Sequence, residues 1–220
     1  MKKALGVVSI GLIVTSVCMA TNQPSTYLAL GGGYVNGSYA SDFTRHVFGS
    51  LTERSSFNEN YNNYFAQLGV GTSVHLNNLE IVHQVTASKL MGSRTFDTIA
   101  SQWEYKQNFD FGYNIMPLMH INDKLIAAPI LGIHYAQFSY KKDATTTTKF
   151  DADRDQLGFG IGAMANYRLN DKLGLAAKFE HLQYASTTVS GSHIPTGKVD
   201  DNELKPAFNL IGLQLNYYFS

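Results

Sequence analysis

Seven histidines, His46, His75, His83, His120, His134, His181 and His193, carry the widest chemical range in this 220-residue chain. None stands at metal-ligand spacing from another His or from a Cys. None has a Ser two residues later, so a hydrolytic His-x-Ser pair is absent. Cys18 is the only cysteine, and it lies in an N-terminal apolar stretch. The run Gly158-Phe159-Gly160-Ile161-Gly162 superficially resembles a phosphate loop. Such a loop must join a strand to a helix. Here the glycines alternate with large apolar residues, so they form one face of a continuous strand. No cofactor or metal is expected, and no catalytic role.

A second group of chemistry-bearing residues shares one face of alternating segments: Glu80, Glu104, Lys106, Asp110, Arg168, Lys178 and Glu180. Opposite charges gathered on one face suit either a selectivity lining for a pore or a set of ion pairs that fills an interior. A barrel of eight strands is only just wide enough for its own side chains, and buried charges require partners. The expectation is a plug and a poorly conducting barrel. A third group occupies polar stretches between the alternating segments: Arg45, Arg54, Lys141, Lys142, Asp200 and Asp201. Loops on a rigid frame are where binding residues concentrate.

The elements that must position these residues are strands. From Ile211 every second residue is large and apolar (Ile211, Leu213, Leu215, Tyr217, Phe219), with Gly212, Gln214, Asn216 and Tyr218 between. Period two is a strand signature. The pattern recurs at Tyr27 to Val35, Tyr64 to Leu76, Leu79 to Ala87, Trp103 to Ile115, Leu125 to Phe138, Leu157 to Leu169 and Leu173 to His181. In the fourth segment Trp103, Tyr105, Phe109, Phe111, Tyr113 and Ile115 fall on one face, interrupted by Gln107, with Glu104, Lys106 and Asp110 opposite. His83 falls on an otherwise greasy face, and Pro129 sits inside the fifth segment, where it is expected near the turn-side rim. Short turns at Asn77-Asn78, Asn122-Asp123 and Asn170-Asp171 alternate with long polar stretches. Eight strands with short turns on one side and long loops on the other, greasy outside and polar inside, make an antiparallel transmembrane β-barrel, an all-β fold with both termini on the short-turn side. Pairing the first strand with the last leaves no edge for the bilayer to solvate.

Bulk properties agree. Lys plus Arg (17) balances Asp plus Glu (17), which disfavours a nucleic-acid partner. Charged residues make up 15%, against roughly 25% in a typical soluble domain. The mean hydropathy of -0.14 does not exclude a barrel whose strands are half polar. Lys2 and Lys3, the apolar run Ala4 to Val17 and small Ala20 read as a signal peptide over residues 1–20, leaving a barrel domain over 21–220. The alternatives are a membrane anchor, for which the run is short, and a lipoprotein lipidated at Cys18, for which Val17 is a poor neighbour.

The stretch Leu157-Gly158-Phe159-Gly160-Ile161-Gly162-Ala163-Met164-Ala165-Asn166-Tyr167-Arg168-Leu169-Asn170-Asp171-Lys172-Leu173 resembles a hairpin of small eight-stranded outer-membrane barrels, the OmpA-like and opacity-type surface proteins. Pro129-Ile130-Leu131-Gly132 is similar to the strand that precedes that hairpin, with His134 standing where many members have a second Gly. The terminal Leu215-Asn216-Tyr217-Tyr218-Phe219 resembles the signal read by the barrel-assembly machinery, although Ser220 follows the usual final Phe. The resemblance implies a bacterial outer-membrane location after cleavage near Ala20. It implies contact with lipopolysaccharide and a structural, adhesin-like or surface-antigen role, with a host or surface ligand met through the loops. A narrow pore for small solutes, an outer-membrane lipid-modifying enzyme and a soluble periplasmic barrel are the alternatives.

Overall fold

The computed structural model describes residues 26–46, 52–76, 79–98, 101–143, 150–193 and 198–219. The strands are β1 Thr26–His46, β2 Thr52–Leu76, β3 Leu79–Leu90, β4 Arg94–Thr98, β5 Ser101–His120, β6 Leu125–Asp143, β7 Phe150–Arg168, β8 Leu173–Tyr184, β9 Thr187–His193 and β10 Lys198–Phe219. Their order is β1-β2-β3-β5-β6-β7-β8-β10, and antiparallel pairing of β10 with β1 closes the barrel. Short β4 and β9 pair with β5 and β10 beyond the ends of β3 and β8. Each continues the strand before it across a kink, the first at Met91–Ser93, where Gly92 has φ +88°. The barrel therefore has eight walls.

Apolar residues reach outward in a continuous band. Leu28, Leu30, Leu68, Val70, Leu131, Ile133, Leu157, Phe159, Ile161, Phe179, Ile211, Leu213 and Leu215 are all exposed. Tyr167, Tyr217 and Phe219 flank the band on the turn side, and Tyr34 and Tyr64, 6.2 Å apart edge to face, on the other. A soluble barrel would bury these faces, and aromatic girdles belong to the two membrane surfaces.

Two of the short turns are the same device. In Ile121-Asn122-Asp123-Lys124-Leu125 the Asn122 Oδ1 accepts from Lys124 N (2.9 Å) and Leu125 N (2.8 Å). In Leu169-Asn170-Asp171-Lys172-Leu173 the Asn170 Oδ1 accepts from Lys172 N and Leu173 N, both at 2.9 Å. The carbonyls of Lys124 and Lys172 each accept from the next wall, at Arg168 N and Tyr218 N, both 2.8 Å. The turn at Asn77-Asn78 lies outside the described residues. Pro129 of β6 sits opposite Pro117 of β5, where the register skips from Ile115↔Leu131 to Met119↔Ala127. Two residues without N–H face each other there, so neither removes a bond that the other could make.

The walls are longer than the alternating segments predict. A membrane strand needs about 9–11 residues, and β1, β2, β5, β6, β7 and β10 have 19 to 25. Much of the polar sequence expected as loops continues as strand beyond the apolar band. Above the band the greasy face turns inward. In β10, Leu204, Phe208 and Leu210 are buried, whereas from Ile211 onward the alternate set faces out. β1 switches between Tyr34 and Val35, which pair with Ile211 and Leu210. The strand keeps its period, and its surroundings change from lipid to water.

Candidate functional site: a sealed charge layer and a polar upper wall

Inside, the walls together build three layers. The floor, on the turn side, packs Tyr27, Ala29, Val82, Met116, Ala128, Ile130, Met164 and Ala176. The roof packs Val35, Tyr39, Phe65, Leu90, Tyr105, Ala136, Phe138, Tyr140, Leu182, Tyr184, Leu204, Phe208 and Leu210. Its rings interlock: Tyr39 on Tyr105 (5.1 Å), Tyr105 on Tyr140 (5.4 Å), Phe138 on Tyr184 (5.2 Å) and Tyr39 on Phe208 (5.6 Å).

Between them lies a buried polar layer centred on His134. Its Nδ1 is 3.0 Å from Asp110 Oδ2 and its Nε2 is 3.1 Å from Glu180 Oε1. Glu180 Oε2 pairs with Lys178 Nζ at 2.8 Å, and Lys178 donates to Gln67 Oε1 at 3.3 Å. Asp110 accepts further bonds from Ser88 Oγ (3.0 Å) and the Tyr184 hydroxyl (3.0 Å). His134, Asp110 and Glu180 are each at most 1% exposed. Each ring nitrogen of His134 thus faces a carboxylate oxygen at hydrogen-bond distance. With Lys178 the layer holds two basic and two acidic side chains, each bonded to a partner, as buried ionisable groups require.

Glycines make room for the ring. A Cβ on Gly112 would lie 2.6 Å from His134 Cε1, one on Gly132 2.9 Å from Nε2, and one on Gly160 3.0 Å from Nε2. The Gly-x-Gly alternation of β7 is thus the complement of bulky residues on the facing walls.

Of the seven charges assigned to the interior, Asp110, Lys178 and Glu180 meet in this layer. Glu80 and Arg168 lie closer to the turn side. Glu80 Oε2 is 3.0 Å from His120 Nε2 and 3.5 Å from His75 Nε2, and the Arg168 guanidinium sits 5.1 Å from the Tyr218 ring centre. Glu104 and Lys106 are misplaced by the period-two reading. The β5–β6 register shifts between Gln107 and Phe109, a β-bulge, so the residues before it reverse faces. Tyr105 and Gln107 turn inward and are buried, while Lys106 is exposed outside.

Glu104 and Lys106 instead join a polar upper wall. Glu104 is the register partner of Lys141, and Lys106 of Ser139. Asn108 Nδ2 donates to Ser139 Oγ (2.7 Å) and Gln137 Oε1 (3.2 Å), Gln137 Nε2 donates to Asp155 (3.3 Å), and Ser139 donates to Asp153. The loop candidates belong to strands: Arg45 to β1, Arg54 to β2, Lys141 and Lys142 to β6, Asp200 and Asp201 to β10. The backbone puts Arg45 opposite both Glu53 and Asp200, and Thr44 opposite Arg54 and Asp201. Nearby, Lys205 Nζ bridges Asp42 (3.2 Å) and Glu203 (3.4 Å). The Ser56 hydroxyl and Lys205 hold the Asp42 carboxyl below the usual range, and Asp42 and Glu203 raise Lys205.

His134, Ser88, Tyr184 and Gln67 were not among the expected site residues. One signal pointed to His134: a histidine two residues after Gly132 on an inward face. His83, the anomaly on the greasy face, is satisfied by the Tyr113 hydroxyl 2.7 Å from its Nδ1 on the neighbouring wall.

Comparison with known proteins agrees with this architecture. A major outer-membrane protein of Thermus thermophilus aligns with 84% of this chain and 99% of its own at 13% identity and a TM-score of 0.53. The outer-membrane protein OprG of Pseudomonas aeruginosa aligns with 89% of this chain and 97% of its own at 11% identity and a TM-score of 0.50. The Yersinia pestis attachment invasion locus protein Ail, in complex with the heparin analogue sucrose octasulfate, aligns with 90% and 100% at 10% identity and a TM-score of 0.43. No curated protein matches the chain by sequence. The model of the outer membrane protein beta-barrel domain matches residues 10–219. The chain belongs to that family of outer-membrane β-barrels.

Proposed function

We propose that this protein is a non-enzymatic outer-membrane surface protein whose sealed barrel holds its projecting hairpins and upper wall in place for a partner. One observation carries this reading: two buried apolar clusters pack the interior above and below the layer around His134. An aromatic roof covers a layer of paired ionisable groups that rests on an apolar floor, packing that supports a frame over a conduit or a reaction chamber. His134 has a carboxylate on each nitrogen, and its 1% exposure supports a structural role for the trio over a catalytic one. The surface left for recognition is the water-exposed wall above the apolar band together with the hairpin ends. An N-terminal export signal cleaved near Ala20 delivers the chain to assembly, and the terminal strand serves as the signal for insertion.

The test pairs two measurements. In planar bilayers the intact protein is expected to give no steady current. Binding to bacterial-surface or host-cell material is expected to fall when one hairpin, between β1 and β2 or between β6 and β7, is shortened while the barrel still folds. Steady currents abolished by Lys178→Ala would favour the narrow pore instead. Altered lipid A in cells making the protein, lost with His134→Ala, would favour the enzyme.

A further inference from the structure

We propose that the turn-side mouth of the barrel binds one zinc-class divalent metal ion through His75, Glu80 and His120. The three residues lie on the inward face of three consecutive walls, β2, β3 and β5. His75 is the register partner of Glu80, and Glu80 that of Leu118, two residues before His120. Because β3 lies between the other two walls, the imidazoles reach the carboxylate from opposite flanks. Both present Nε2 to the same atom, Glu80 Oε2, at 3.5 Å from His75 and 3.0 Å from His120. His120 is 40 residues from Glu80, so no sequence motif marks the set.

The spacing suits a metal. A tetrahedral zinc ion with bonds of about 2.0–2.2 Å keeps neighbouring donors roughly 3.4 Å apart. Two edges of such a site are therefore already set. The third edge, His75 to His120, is the one that must close, since no trio of His, Cys, Asp or Glu among the described residues is ready-made for a metal. The two rings are free to turn, with side chains 52% and 55% exposed, while Glu80 at 13% stays as the anchor. Two imidazoles with one carboxylate favour zinc and its neighbours over calcium or magnesium, which take oxygen cages. The fourth position faces water at the mouth. The other described histidines lack this arrangement. His134 is sealed between Asp110 and Glu180, and His83 and His181 face outward, each bonded to one neighbour, Tyr113 and Asn209. A bound ion ties β2 to β5 across β3, at the end of the barrel opposite the polar upper wall.

The untagged chain, folded in zwitterionic detergent, tests this with Co²⁺ as the probe. Wild type should take up one ion per barrel, with the strong visible absorption of a tetrahedral site, and release it to Zn²⁺. His75→Ala and His120→Ala should each weaken uptake by more than about tenfold, the least expected even for a residue that only supports a ligand. Both histidines are exposed, so these variants should still fold. Glu80→Gln, which keeps the size of the side chain, should weaken uptake in the same way. His181→Ala, on the outer face, should leave it unchanged. Zn²⁺ should raise the urea midpoint of the wild type and not that of the double variant His75→Ala with His120→Ala. No saturable uptake, or uptake unchanged in the double variant, would overturn the proposal. So would uptake with the faint spectrum of an octahedral ion, the sign of an adventitious ion only.

Discussion

Gly112 on β5 lies opposite His134 on β6, and a methyl group in place of its hydrogen would approach the imidazole Cε1 to 2.6 Å and Thr86 Oγ1 to the same distance. The ring cannot swing away, because both nitrogens are bonded to carboxylates. Gly112→Ala is therefore expected to destabilise the barrel by about 1–3 kcal/mol, the usual cost of overpacking. Reversible urea unfolding in lipid vesicles would measure it. In a His134→Ala background the same substitution should cost less, the remainder coming from the Thr86 contact. Equal costs in both backgrounds would separate Gly112 from the ring.

Removing the bridge is expected to cost more than crowding it. His134→Leu leaves Asp110 and Glu180 buried in the same layer with Lys178, bonded to Glu180, as its one remaining basic group. Breaking a buried charge set by deleting one member costs about 3–5 kcal/mol. Adding Asp110→Asn and Glu180→Gln to His134→Leu should restore part of that stability, since the uncompensated charges go with the partner. A triple variant no more stable than the single one would show that His134 contributes packing alone.

The bulge in β5 predicts a reversal of accessibility over two adjacent residues. In a barrel assembled in intact cells, a cysteine at Lys106 should react with a membrane-impermeant maleimide, and one at Gln107 should stay protected beneath the aromatic roof. The mature chain carries no native thiol if cleavage follows Ala20, so background labelling is low. Labelling at 107 and protection at 106 would restore the uninterrupted alternation and move Lys106 back inside.

The same residue shows where the sequence is legible. Between Ile211 and Phe219, or Leu157 and Leu169, outward apolar and inward polar residues alternate without a break, and the structure follows them. Gln107 was the one polar residue in an aromatic face, and that interruption was the mark of the bulge; a strict period of two carries Glu104 to Gln107 onto the wrong side. The polar stretches were harder because the rule changes sense at the membrane surface. Tyr39, Tyr140, Leu204 and Phe208 do alternate with polar neighbours, but they point inward, as in a soluble barrel. A search for outward grease passes over them and sees only loops. The charge layer was half legible. Asp110, Lys178 and Glu180 sit on recognisable inward faces, whereas their meeting at His134 depends on the stagger between distant walls, which no single segment encodes.

The projecting part of the barrel should respond to pH through the Asp42–Lys205–Glu203 cluster. Asp42 has its carboxyl lowered, first by the Ser56 hydroxyl and then by Lys205, so its contribution is present above the ordinary carboxylate value and is lost as pH falls through the depressed one. Lys205 is raised, first by its bond to Asp42 and then by Glu203, so its contribution is present below the ordinary ammonium value and is lost as pH rises through the raised one. Pairing of β1 with β10 around Ser41↔Leu204 and Ala40↔Lys205 should thus be steady across neutral pH and loosen at both extremes. All three groups are exposed, so the effect is local and shrinks with added salt. Amide hydrogen exchange at Ser41 and Leu204, corrected for the intrinsic pH dependence, reads it directly. Lys205→Gln should flatten the alkaline limb and shift the acid limb toward the ordinary carboxylate range. If exchange at these amides rises no more steeply at the two extremes than exchange in the membrane-embedded pairs, the cluster does not hold the wall together.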